Sequence, residues 1–103
     1  MSPSSFTHIA LSFPGTERKP HFDRTAFRVI GKKIFATLHE PSNTANMVLT
    51  ISEQATFCDY GEAIYPVPNK FGLKGWTTFE LDKVPEELMR EALLSAYNEV
   101  VGK

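Results

Sequence analysis

The chain alternates between helical and strand periods. Phe6, Ile9, Ala10 and Phe13 recur at i, i+3, i+4 and i+7, one apolar stripe on a helix. Ser2 supplies its N-cap and Pro3 its first position, and Pro14-Gly15 ends it. Residues 16–24 are polar and read as an irregular segment in which Pro20 forbids a continuing helix. From Ala26 to Ile30 the period drops to two, with Phe27 and Val29 on one face and Arg28 on the other. Gly31-Lys32 turns the chain, and Ile34–His39 returns as the hairpin partner. After the turn cluster Pro41-Ser42-Asn43-Thr44, Asn46–Ser52 predicts a third strand, with Met47, Leu49 and Ile51 alternating against Val48 and Thr50.

Ser52 is placed to cap a short helix through Glu53–Tyr60, closed by Gly61. Ile64–Pro68 is extended, and its two prolines confine it to an edge or a strand end. Asn69–Gly75 reads as a loop and Trp76–Leu81 as a last strand. The closing helix has the clearest signature. Pro85 suits its first position, Glu86 and Glu87 suit the positive end of its dipole, and Leu88, Met89, Ala92, Leu93, Ala96, Tyr97, Val100 and Val101 form one wide apolar stripe.

Sequential strands joined by short turns pair antiparallel. Two amphipathic helices must bury their stripes against that sheet. The expected fold is therefore α+β, a single domain over residues 1–103. It is a two-layer sandwich with the N- and C-terminal helices on one face of an antiparallel sheet and the other face left to solvent or a ligand.

Composition narrows this reading. Hydrophobic residues make up 42% and charged residues 22% of the 103 positions, which excludes an intrinsically disordered chain. A single cysteine, Cys58, excludes an intrachain disulfide framework and reads as a small buried apolar residue. The N-terminus lacks the basic start and apolar run of a signal peptide, and no apolar stretch approaches the ~20 residues of a membrane span. A cytoplasmic protein without a membrane partner is expected. The net charge of −1 divides into +3 over residues 1–50 and −4 over residues 51–103, which predicts a cationic and an anionic face.

The search for catalytic chemistry finds little. Gly31-Lys32-Lys33 lacks the upstream glycine spacing of a phosphate loop, and no dinucleotide fingerprint occurs. His39-Glu40 begins like a zinc-protease motif, but position 43 is Asn where a second histidine is needed. His21, Asp23, His39 and Glu40 fall on a loop and a strand end, a pattern more typical of surface groups than of a metal site. Glu86 and Glu87 are neighbours on a helix and point to different sides. Neither an enzyme, a metal nor a cofactor is expected. Trp76 and Tyr97 read as core aromatics with polar atoms at the edge.

What remains is basic and aromatic. Arg24, Arg28, Lys32 and Lys33 surround the first hairpin, and Lys70 and Lys74 sit in the loop before Trp76. Two basic loops on one sheet can straddle a phosphate backbone, so these six are the candidate nucleic-acid-binding residues. They imply ~3–5 phosphate contacts and a log–log salt slope of about −3 to −4. The uncovered sheet face, with Phe22, Tyr65 and Phe71, suggests an alternative, a non-enzymatic domain that binds a small molecule or a protein. Convergence of the six cations on one face favours nucleic acid. Scattering, with an apolar cleft near Trp76, favours the alternative.

In their order and spacing, Phe13-Pro14-Gly15-Thr16-Glu17, Pro20-His21-Phe22, Ala26-Phe27-Arg28-Val29, Gly31-Lys32-Lys33-Ile34-Phe35-Ala36-Thr37-Leu38, Gly75-Trp76-Thr77 and the helix with Ser95-Ala96-Tyr97 resemble the MmcQ/YjbR family over almost the whole chain. The resemblance implies a CyaY-like, frataxin-like arrangement of two helices against an antiparallel sheet. It also implies DNA binding through hairpin wings, which correspond here to Arg28, Lys32 and Lys33 on one side and to Lys70 and Lys74 on the other. Two departures stand out. The chain is mildly acidic, whereas DNA binders present a strongly basic face. Residues 4–13 contain no Asp or Glu, which counts against the iron handling of the frataxin fold.

Overall fold

The computed structural model describes residues 1–102. Helix α1 (Pro3–Ser12) is followed by β1 (Thr16–His21), β2 (Arg24–Val29), β3 (Ile34–His39), β4 (Thr44–Val48), α2 (Ile51–Cys58), β5 (Ile64–Pro66), a 3-10 turn (Gly72–Lys74), β6 (Trp76–Glu80) and α3 (Glu86–Val101). The six strands form one fully antiparallel sheet in the order β1-β2-β3-β4-β6-β5.

The helices all lie on one face. Phe27, Met47, Phe79 and Ile64 point to them, and the core is completed by Phe6, Ile9 and Ala10 of α1 and Met89, Ala92, Leu93 and Ala96 of α3. Phe6 meets Phe27 edge-on at 5.8 Å. A β-bulge in the β2–β3 pairing sets Phe27 opposite Ala36 and Arg28 opposite Ile34, leaving Phe35 as the extra residue. The bulge turns Phe35 into the helix layer, where its ring contacts Phe13 and Tyr97. Tyr97 also stacks on Phe13 at 4.9 Å and donates its hydroxyl to Pro14 O at 2.6 Å, tying α3 to the end of α1. The expected two-layer α+β sandwich is what forms, with α2 added to the helix layer through Phe57 against Phe79.

Several local expectations are corrected. Residues 16–24 are not irregular: Thr16–His21 is the edge strand β1, paired residue for residue with β2. An edge strand tolerates Pro20, whose missing N–H faces no partner strand, and its outward polar run TERKPH keeps the edge soluble. The third strand ends at Val48, because Thr50, not Ser52, caps α2. Thr50 Oγ1 accepts from Glu53 N at 3.1 Å and Glu53 Oε1 accepts from Thr50 N at 2.9 Å, a reciprocal capping box. Pro85 is the N-cap of α3, one position earlier than its propensity suggests. Cys58 is only half-buried, packed against the core rather than inside it.

Candidate functional site

The strand pairings fix what the helix-free face presents. Ala26 opposes Thr37, Thr37 opposes Asn46, Asn46 opposes Thr78 and Thr78 opposes Tyr65, one row of small or polar side chains across five strands. Thr78 Oγ1 donates to Asn46 Oδ1 at 2.7 Å within it. Nearer one end of the sheet the same face carries Ile34, Val48 and Trp76, with Val48 directly opposite Trp76. Trp76 therefore stands half-buried on the open face, not in the core between helices and sheet where an aromatic of its size is expected.

Two loops close over this end. In the β2–β3 hairpin, Lys32 N donates to Val29 O at 2.8 Å and Val29 N to Lys33 O at 3.4 Å, which holds both lysines at the tip. Lys32 Nζ reaches Val101 O at 3.5 Å, at the negative end of the α3 dipole. The second loop enters β6 through the 3-10 turn. Trp76 N donates to Phe71 O at 3.0 Å and Leu49 N to Gly75 O at 3.0 Å. Gln54, buried in α2, clamps the loop from below. Its amide donates to Gly72 O at 3.0 Å, Trp76 O at 3.2 Å and Thr77 Oγ1 at 3.1 Å. Lys70 and Lys74 each place Nζ 5.8 Å from the Phe71 ring centroid, a cation–π pairing on an exposed aromatic.

The hairpin tip, the start of β6 and the last turn of α3 enclose a cleft of about 800 Å³ lined by Gly31, Lys32, Lys33, Ile34, Val48, Lys74, Trp76, Glu99 and Val100. Three lysines face one carboxylate around a floor of Ile34, Val48 and Trp76. The cleft is cationic with an apolar base. Of the six candidate cations, Lys32, Lys33 and Lys74 line it.

The other three lie elsewhere. Arg24 begins β2, about 17 Å by strand rise from Val29 at the hairpin end of that strand, and donates from Nη1 to Thr37 Oγ1 at 3.2 Å. Arg28 Nε donates to Glu17 Oε2 at 2.6 Å, and Lys19 also approaches Glu17, at 4.0 Å, so Arg28 lies in an ion pair along the sheet. Lys70 rests over Phe71 without lining the cleft. Sequence reasoning missed Ile34, Val48, Glu99 and Val100 as lining residues. The signal for Val48 was present, since its strand alternation puts it opposite Met47 and Leu49.

At the far end of the sheet, His39 Nε2 lies 3.0 Å from Asp23 Oδ2, His39 Nδ1 lies 2.6 Å from Ser42 Oγ, and Ser42 Oγ lies 2.8 Å from Thr44 Oγ1. This chain staples the β1–β2 turn to the β3–β4 turn. Ser42 and Asp23 are exposed. Among the described residues no three of His, Cys, Asp and Glu gather to hold a metal ion. Burial, and then the negative charge of Asp59, push the Cys58 thiol above its ordinary range. No described helix is long and apolar enough to cross a membrane.

Comparison with known proteins bears on this geometry. The model of the family described as YjbR matches residues 11–99. The crystal structure of Deinococcus radiodurans protein DR2400, whose domain carries the family designation DUF419, superposes with a TM-score of 0.79 at 20% identity, covering 93% of this chain and 75% of that one. At that identity the likeness shows a shared fold. No curated protein matches the chain.

Proposed function

The chain belongs to the YjbR family, and from that premise we propose that it is a non-enzymatic DNA-binding module whose contact surface is the cleft around Trp76. The observation that carries this reading is the meeting of Lys32, Lys33 and Lys74 over an apolar floor, from two loops far apart in sequence. Lysines act as compact point charges on phosphate, and their contacts position a backbone without reading its sequence. The footprint is smaller than a wing-and-wing arrangement of all six cations. Arg24 lies at the other end of the sheet and Arg28 is paired with Glu17. Two to three engaged phosphates give a log–log salt slope of about −2. A second reading, a small anionic molecule with a flat ring, is favoured by the apolar cleft beside Trp76 and by the scatter of Arg24, Arg28 and Lys70 away from it, the arrangement expected of a non-enzymatic binding domain. The three lysines that do converge are what support DNA.

Fluorescence anisotropy of labelled DNA at two salt concentrations tests the proposal. The wild-type chain is expected to bind in the micromolar range or tighter and to weaken with salt. The Lys33→Glu/Lys74→Glu variant should lose binding. Undiminished affinity in that variant, or no binding even at low salt, contradicts the proposal. Competition by a mononucleotide at stoichiometric concentration would instead favour the second reading.

A further inference from the structure

We infer that the cleft takes single-stranded DNA, with one unpaired base stacked on Trp76 and the flanking phosphates at Lys33 and Lys74. This inference rests on the DNA-binding reading above and names the form of DNA.

Ile34, Val48 and Trp76 offer apolar and aromatic surface at the bottom of a cationic cleft. A duplex keeps its base faces inside its own stack and presents phosphate, sugar and base edges, so nothing on it rewards that floor. An unpaired base has a free face, and stacking on an aromatic side chain is sequence-tolerant because every base has one. A cleft of about 800 Å³ lies within the ~300–1,000 Å³ range of small-ligand sites. It admits a short segment of one strand, not a helix of two. A duplex wing needs cations projecting across a groove, yet on the same hairpin Arg28 is drawn back along the sheet by Glu17 at 2.6 Å. Only the tip remains, and it faces the cleft.

The lining also bears on the sugar. Among the described residues it contains no Ser, Thr, Asn or Gln side chain; the Glu99 carboxylate and the lysine ammonium groups are what could meet a 2′-hydroxyl, the group by which proteins distinguish RNA from DNA. No neutral donor or acceptor side chain of that lining is given over to the sugar, so RNA is expected to bind no tighter than DNA.

Trp76 is the only tryptophan, so intrinsic fluorescence reports from the site itself. The test titrates the full chain with a 12-nucleotide oligo(dT), oligo(rU) of the same length and a 12-base-pair duplex at one low salt concentration, reading Trp76 emission and the anisotropy of labelled strands. The expected result is emission quenching by oligo(dT) and at least tenfold tighter binding of it than of the duplex, with oligo(rU) no tighter. Trp76→Leu should weaken oligo(dT) binding about 5- to 150-fold, the loss of one stacked base, with the salt slope unchanged. Trp76→Phe, which keeps a ring, should retain most of the affinity and guards against a folding effect of the Leu variant. Duplex bound as tightly as oligo(dT), with Trp76 emission unmoved, overturns this inference and leaves DNA binding standing. Tighter binding of oligo(rU) overturns the assignment of DNA. Absence of binding to all three strands by anisotropy overturns the parent reading as well.

Discussion

Replacing Gly75 with Ala tests the packing that brings Lys74 and Trp76 to the cleft. Gly75 sits at φ +104, a conformation L side chains rarely adopt, and a Cβ there would lie 1.8 Å from Leu49 O. An ordinary C···O approach is about 3.3–3.6 Å, so the β4 and β6 backbones would have to separate by about 1.5 Å. That separation breaks the bond from Leu49 N to Gly75 O, now 3.0 Å. A lost backbone hydrogen bond costs about 0.5–1.5 kcal/mol and the left-handed backbone about 1–2 kcal/mol, while the stiffer unfolded chain returns about 0.4–1 kcal/mol. With the residual clash, the expected loss is about 2–4 kcal/mol, or a melting temperature lower by about 10–30 °C for a domain of this size. Gly15→Ala is the matched control. Gly15 also has a positive φ, +72, but its added Cβ meets nothing within 4 Å. It should lose only about 1 kcal/mol, the conformational part. Urea denaturation followed by circular dichroism and Trp76 emission measures both. Equal losses in the two variants would refute the close-approach argument.

Three further outcomes follow from local geometry. Thr50→Ala removes the hydroxyl half of the α2 capping box and should cost about 1 kcal/mol in urea denaturation, whereas Ser52→Ala, at a position that does not cap, should stay within about 0.5 kcal/mol. Phe22 holds φ +58 in the β1–β2 turn while 95% exposed, so Phe22→Gly should relieve strain at almost no burial cost and stabilise the chain by about 0.5–1 kcal/mol in the same assay. Because the Cys58 pKa is raised, less thiolate exists near neutral pH, so alkylation by iodoacetamide at pH 7.5 should run slower than for free cysteine and accelerate at higher pH. A rate equal to that of free cysteine would contradict the burial argument.

The two-layer architecture was legible because α1 and α3 carry long stripes of period 3.6 and the β2–β3 hairpin a clean period of two. β1 was not. Its side chains are polar on both faces, since an outer strand needs little apolar cover, and Pro20 reads as a breaker when no partner strand is known. The α2 boundary was displaced because Thr50 and Ser52 are both good caps, and only Glu53 three residues after Thr50 distinguishes them. At the candidate site, the lysines of both loops were visible as isolated charges. Their division was not, because whether Arg28 projects from the hairpin or lies back on Glu17 depends on β1 pairing with β2, a strand the pattern concealed. Trp76 was taken for a core residue because a large aromatic in a strand is usually one. The register opposite Val48 puts it on the face no helix covers.

The central claim is that DNA binds at the Lys33–Lys74–Trp76 end of the open sheet. It is tested most directly by a ¹H–¹⁵N correlation NMR titration of the isotopically labelled chain with oligo(dT). The account predicts the largest shift changes at residues 31–34, at Val48, at residues 74–76 and in the last turn of α3, with the Trp76 indole N–H among them. Changes centred on Arg24 and the β1–β2 turn, or no localised change at saturating DNA, would contradict it.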